Sequence, residues 1–242
     1  MTLLLWAVLP YLTIVLLVGG TVWRYRYDKF GWTTRSSELF GTRILNIASP
    51  LFHYALLFVI LGHVMGLVIP KSWTEALGVA EHTYHLVSVV GGTIAGVAAL
   101  VGLGMLIYRR RVSGPVFSAT TRNDKLMYVF LGGSLLLGTL CTVVANGING
   151  PYDYRVTVGP WFRDIFLLRP HPDLMTSVPL LYQLHALVGM VLVALFPFSR
   201  LIHAFAAPWF YLFRPYIVYR ARGARGPATR APQRGWEPIS RR

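Results

Sequence analysis

The sequence predicts an all-α, polytopic membrane helical bundle of five transmembrane helices, with the N-terminus outside and the C-terminus cytoplasmic. Three observations carry this prediction. Of 242 residues only 13% are charged and 55% are hydrophobic, whereas a soluble domain carries roughly 25% charged residues. The sparse charges are clustered, leaving five runs without Asp, Glu, Lys or Arg, each near the ~20 residues that a bilayer core requires. Finally, nineteen of the 23 Lys and Arg follow the first, third and fifth runs, and only four follow the second and fourth. Such one-sidedness marks the cytoplasmic face.

The five runs are residues 2–22, 44–70, 86–108, 126–146 and 178–199, the last expected to continue past Arg200 to about residue 205. They show no apolar–polar alternation, so they read as helices rather than as strands of a membrane barrel. No Lys or Arg precedes the first run and no small-x-small pattern follows Gly20, so it reads as a span rather than a cleaved leader. Arg24, Arg26 and Lys29 follow it and place the N-terminus outside. Residues 23–43 and 109–125 are basic cytoplasmic connections. Residues 147–177 form a longer outer loop, in which 161–168 predicts a short interfacial helix. The chain therefore divides into a five-span domain, 1–219, and a basic, disordered cytoplasmic tail, 220–242, read as a solvated end.

These features exclude several function classes. The formal charge of +14 becomes a topology signal and not a sign of nucleic acid. A lone cysteine, Cys141, cannot build a disulfide framework, a zinc cage or an iron–sulfur cluster of the chain's own. All nine acidic residues are expected in loops, which argues against a proton pump or ion-coupled transporter. No internal repeat supports an inverted-repeat transporter.

Histidine is the ionisable residue left inside the spans. His53 and His63 lie in the second run, His185 and His203 in the fifth. A single intramembrane histidine is usually a hydrogen-bonded packing residue. Two on each of two helices, without carboxylate partners, point to metal ligation, and haem iron takes such axial ligands. The two spans run in opposite directions, so the level-matched pairs are His53 with His203 near the inside and His63 with His185 near the outside. Each pair can clamp one haem. Residues 185 and 203 are five whole turns apart and rise about 27 Å, whereas 53 and 63 rise about 15 Å. Pro197 is expected to kink the fifth span and reduce this mismatch. Gly62, Gly66 and Gly189 offer small neighbours to a macrocycle, or else close helix packing. Arg200 and the run Arg109–Arg111, Arg111 included, are candidates for haem propionates or lipid headgroups.

The segment Leu195-Phe196-Pro197-Phe198-Ser199-Arg200-Leu201-Ile202-His203, preceded by His185, resembles the gamma subunit of respiratory nitrate reductase. So does Leu51-Phe52-His53 followed by Gly62-His63, with weaker echoes at Trp32, Ser36-Ser37, Gly91-Gly92 and Ala119-Thr120-Thr121. The resemblance covers about residues 5 to 215. It implies a five-span cytochrome with two b-type haems, His63 and His185 on the outer one and His53 and His203 on the inner one. It further implies a multi-pass cell-membrane anchor for two cytoplasmic partners, an iron–sulfur beta subunit and a molybdenum-containing alpha subunit. Quinol would be oxidised near the outer surface, and electrons would cross to reduce nitrate inside. The family's lysine at the quinol site is replaced here by Thr83. Gly62, Glu81, His82 and His85 are therefore the expected quinol contacts, and menaquinol is the expected donor. The inner loops around Trp32 and Thr120, with residues 206–219, are the expected docking region. Two other readings remain: a di-haem anchor for a hydrogenase or formate dehydrogenase, or a haem-free membrane transporter or anchor.

Overall fold

The computed structural model describes residues 1–28, 32 and 43–206. The helices are α1 (Leu4–Tyr27), α2 (Arg43–Val68), α3 (Lys71–Ala76), α4 (Glu81–Val112), α5 (Gly114–Ser118), α6 (Arg122–Ile148), α7 (Val158–Phe166) and α8 (Leu180–Leu195). Two 3₁₀ segments follow α8, Phe196–Phe198 and Arg200–Ala206. Five segments are long and apolar enough to cross a membrane: α1, α2, α4, α6 and α8 with its first 3₁₀ turn. No strand occurs among the described residues. The predicted tail 220–242, the docking residues 207–219 and the Ser36-Ser37 pair lie outside the described residues.

In hydrocarbon the backbone has no water to turn to, so every N–H and C=O must be satisfied within the helix. Three spans change pitch without breaking that rule, through π-helical turns at Leu4–Val8, Val64–Val68 and Cys141–Ile148. Large apolar side chains such as Leu12, Val15, Phe58 and Val129 remain exposed along the spans, as suits a lipid-facing surface.

Close packing uses small residues. α4 is central, lying against α2 on one side and α6 on the other. At Gly102 a Cβ would stand 2.8 Å from the backbone nitrogen of Phe52, so α2 and α4 touch main chain to main chain. Gly96 instead makes room for the side chain of Thr139 of α6. α8 packs on α6 and α1. One core half gathers Phe52, Ala99, Leu103, Met127, Leu131 and Leu135. The other half gathers Trp6, Cys141, Trp161, Met175 and Tyr182.

The expected short helix of the long loop is present as α7. It is more than a surface segment, because Trp161 and Ile165 are buried. The Trp161 indole donates to the Trp6 carbonyl at 2.8 Å, and the rings of these residues meet edge to face at 5.6 Å. Tyr11 of α1 donates to the Ile165 carbonyl.

Two expectations need correction. The fifth span does not continue as one helix to residue 205. Pro197 has no N–H to give, Ser199 is extended (φ −114°, ψ −179°), and the chain resumes as a 3₁₀ segment carrying His203. Nor are all acidic residues in loops. Glu81 lies in the first turn of α4 and Asp124 in the first turn of α6, where the helix dipole favours negative charge. Both remain at helix ends.

A bulky side chain at the α2–α4 crossing should separate the two helices. Gly102→Leu is expected to destabilise the protein by about 1–3 kcal/mol. Gly104→Leu, where a Cβ would meet nothing within 4 Å, should be close to neutral. Thermal unfolding of the two variants in detergent is the check.

Candidate functional site

The bundle has a basic end, where Arg24, Arg109–Arg111, Arg122 and Arg200 gather, and an opposite end built from α3, α7 and the long loop. The four intramembrane histidines are arranged between them. His53 and the 3₁₀ residue His203 face each other near the basic end, with ring centroids 6.2 Å apart. His63 and His185 face each other farther along α2, at 5.8 Å. The rise mismatch between the two helices is absorbed by the break after α8. His203 sits on a separate segment and not five regular turns beyond His185.

Hydrogen bonds orient three of these rings. Nδ1 of His53 donates to the Ser49 carbonyl at 2.7 Å, that of His63 to Val59 at 2.8 Å, and that of His203 to Arg200 at 2.5 Å. A carbonyl only accepts, so Nδ1 carries the proton and Nε2 keeps its lone pair. This is the arrangement of a metal-ligating imidazole with a backbone second partner. The fourth ring, His185, is seated against α6. At Gly138 a Cβ would stand 2.9 Å from its Cε1. Gly138 was not singled out in the sequence, where it is one small residue in an apolar run.

The residues present fit a haem. Two imidazoles on opposite faces of one iron, with bonds of about 2 Å and ring centres about 1 Å behind each nitrogen, put centroids about 6 Å apart. Both observed spacings match. Among the described residues no His, Cys, Asp and Glu side chains gather in threes. Each pair thus offers a metal two imidazole nitrogens. α2 and α8 pack mainly on other helices. The strip of α2 bearing His53 and His63 is exposed, and a Cβ at Gly62 would meet nothing within 4 Å. The other two glycines have different duties: Gly66 accommodates Tyr154, and Gly189 lies beside Ser134.

The arginines expected near propionates are partly engaged. Arg200 donates through Nε to Asp124 at 2.9 Å, and both side chains are largely buried. Arg111 is exposed, with its guanidinium 5.4 Å above the Phe117 ring. Arg110 donates to Thr120.

At the opposite end the expected quinol residues stand at the start of α4. Glu81, His82 and Thr83 are exposed, and His85 is half-buried. The His85 Nε2 is buried without a hydrogen-bond partner. Glu81 does not stand alone. Lys71 reaches it at 3.1 Å and Asp153 at 2.5 Å. Arg155 is buried, donates to Thr74 at 2.5 Å and lies 3.8 Å above the Tyr84 ring. In the sequence Lys71 and Arg155 were simply two of the four cations on this side, because their partners lie up to 82 residues away. Burial raises the pKa of the Tyr154 hydroxyl, so that group stays neutral.

The hydrogen bond to Asp153, followed by that to Glu81, raises the Lys71 ammonium above its ordinary pKa of 10.5. The stabilisation is fully present below 10.5 and is lost as pH rises through the raised value. The pair is partly solvent-screened, so Lys71→Met should cost about 1 kcal/mol or less. Its melting-temperature deficit should be constant from pH 7 to 9 and shrink above 10.5. A deficit unchanged at high pH would exclude the ion pair as its cause.

The comparisons with known proteins agree with this architecture. Residues 2–222 match the model of the nitrate reductase gamma subunit family. The nitrate reductase gamma chain of Bacillus subtilis (strain 168) is 43% identical over 219 residues, 90% of this chain and 98% of that one. The respiratory nitrate reductase 1 gamma chain of Escherichia coli (strain K12) is 33% identical over 218 residues, 88% and 94% of the two chains. Nitrate reductase-like protein NarX of Mycobacterium tuberculosis (strain ATCC 25618 / H37Rv) is 54% identical over 234 residues, 96% of this chain. The present chain spans only 36% of that protein's length. Matched by the family model along nearly all of its length, this multi-pass membrane chain belongs to the nitrate reductase gamma subunit family.

Proposed function

We propose that the chain is the membrane-anchoring cytochrome b subunit of a respiratory nitrate reductase, oxidising quinol, menaquinol by preference, near the outer face. The observation that carries this reading is the stacking of two facing imidazole pairs along one helix, each at the spacing of a haem clamp. The basic end is the cytoplasmic one, by the asymmetry of Lys and Arg. His63 with His185 and His53 with His203 would hold two b-type haems, which would supply one-electron transfer between the two leaflets.

The chain's own residues do the rest. The Nδ1–H bonds to Ser49, Val59 and Arg200 carbonyls hold three Nε2 lone pairs toward the metal. Gly138 leaves room for the fourth ring. Arg200 and Arg111 are the cations proposed for propionates, Arg111 being the more exposed. Quinol sits beside His63 and Gly62 at the outer end, with Thr83 in place of the family's lysine. The His85 Nε2 gives its hydroxyl a partner. Glu81 and His82, exposed at the start of α4, take up the two released protons and return them to the outer solution. Moving each electron inward against that outward proton release separates charge worth about 2.3 kcal/mol per 100 mV. The iron–sulfur beta subunit receives the electrons at the cytoplasmic side, and the molybdenum-containing alpha subunit reduces nitrate. Family membership favours nitrate over hydrogen or formate as the partner's substrate.

His63→Ala should remove one of two b-type signals from the reduced-minus-oxidised spectrum. Quinol-dependent nitrate reduction should fall by ~10-fold or more. An artificial reductant feeding the cytoplasmic subunits directly should still support nitrate reduction. An unchanged spectrum would refute the ligand assignment, and a colourless wild-type complex would favour a haem-free anchor. Gly138→Val should shift the same signal that His63→Ala removes, and spare the other.

A further inference from the structure

The break after α8 leaves residues 197–200 outside any α-helix, in two 3₁₀ segments parted at Ser199, and each is held by a side chain from another helix. Arg24 of α1 donates through one Nη to the Pro197 carbonyl at 2.6 Å and the Ser199 carbonyl at 3.1 Å. Asn123 of α6 donates to the Phe198 carbonyl. Asp124 takes the Arg200 guanidinium at 2.9 Å. The Arg200 carbonyl in turn accepts the Nδ1–H of His203. Each link therefore bears on the ring's orientation.

Both clamping helices are built for this contact. Gly20 lies one turn before Arg24 on the same face, and a Cβ there would stand 2.8 Å from the Phe198 ring and 3.0 Å from Pro197. Gly20 thus brings α1 close enough for Arg24, only 6% exposed, to reach the carbonyls. On α6, Thr121 and Asp124 form a reciprocal capping box. That box occupies one carboxylate oxygen of Asp124 and presents the other to Arg200. An unsatisfied carbonyl away from water is costly. The side-chain donors therefore make an otherwise unfavourable break into a fixed one.

We infer that Arg24 is a positioning residue for His203, acting through the broken end of the last span, with Asn123 as its counterpart from α6. The inference rests on the reading of His203 as the inner haem ligand. The sequence distance between the groups, 173 residues from Arg24 to Pro197, hides the relation from any local motif.

The test compares Arg24→Gln, Arg24→Lys, Asn123→Ala, His203→Ala and His63→Ala in the intact complex. Arg24→Gln is expected to shift, or convert to high spin, the b-type signal that His203→Ala removes. The His63-dependent signal should keep its wild-type position. Arg24→Lys, which retains a donor and the charge, should restore most of the affected signal. Asn123→Ala should give the same one-sided shift, smaller in size, and decides the matter if Arg24→Gln does not accumulate. Hydrogen exchange supplies a readout independent of haem: residues 196–206 should exchange faster in Arg24→Gln and Asn123→Ala, with 180–195 unchanged. Both signals unmoved, both signals lost equally, or unaltered exchange at 196–206 would overturn the inference. A wild-type complex without b-type signals would sink the haem reading, and exchange alone would then decide whether Arg24 holds the segment.

Discussion

Backbone hydrogen bonding in a medium without water governs this molecule. It turns the five apolar runs into helices and makes any interruption expensive. The chain nonetheless interrupts its last span at Pro197 and Ser199. It can do so because Arg24 and Asn123 donate to the carbonyls that the interruption exposes. A continuous helix would carry His203 five turns beyond His185, a rise of about 27 Å. The broken chain instead returns His203 to the level of His53. One backbone constraint, met by side chains from two other helices, thus produces the two-pair arrangement.

The glycines show a second theme, the use of small residues to bring specific groups together. Gly102 lets α2 lie against α4, which places the histidine-bearing helix. Gly138 seats the His185 ring, and Gly20 admits the Pro197–Phe198 corner. In membranes such contacts take the place of the hydrophobic drive that organises soluble cores. The aromatic cluster of Trp6, Trp161 and Tyr182 closes the opposite end, where α7 covers the bundle. Glu81 sits beside that closed end in a network of fixed charges with Lys71, Asp153 and Arg155.

Much of the fold was legible because it rests on one-dimensional information. Charge-free length marks spans, and it does not depend on tertiary contact. α7 was legible from its amphipathic run. The span ends were less so, since Glu81 and Asp124 are polar yet belong to helices through capping and dipole effects. Beyond Pro197 the last span departs from the continuous helix that its sequence suggests. A proline signals a kink, but whether the chain kinks or breaks depends on which donors stand nearby, and those come from Arg24 and Asn123.

The residue sequence by itself determined the class of protein, the five spans, and the histidines, positions 53, 63, 185 and 203, that could serve as intramembrane ligands. These follow from hydropathy and residue chemistry, properties each residue carries wherever it lies. The tertiary structure alone decided how those imidazoles approach to about 6 Å, which tautomer three of them adopt, and which distant side chains secure the break. Those outcomes depend on through-space distances of a few ångströms between helices far apart in the chain, and no local pattern of residues encodes them.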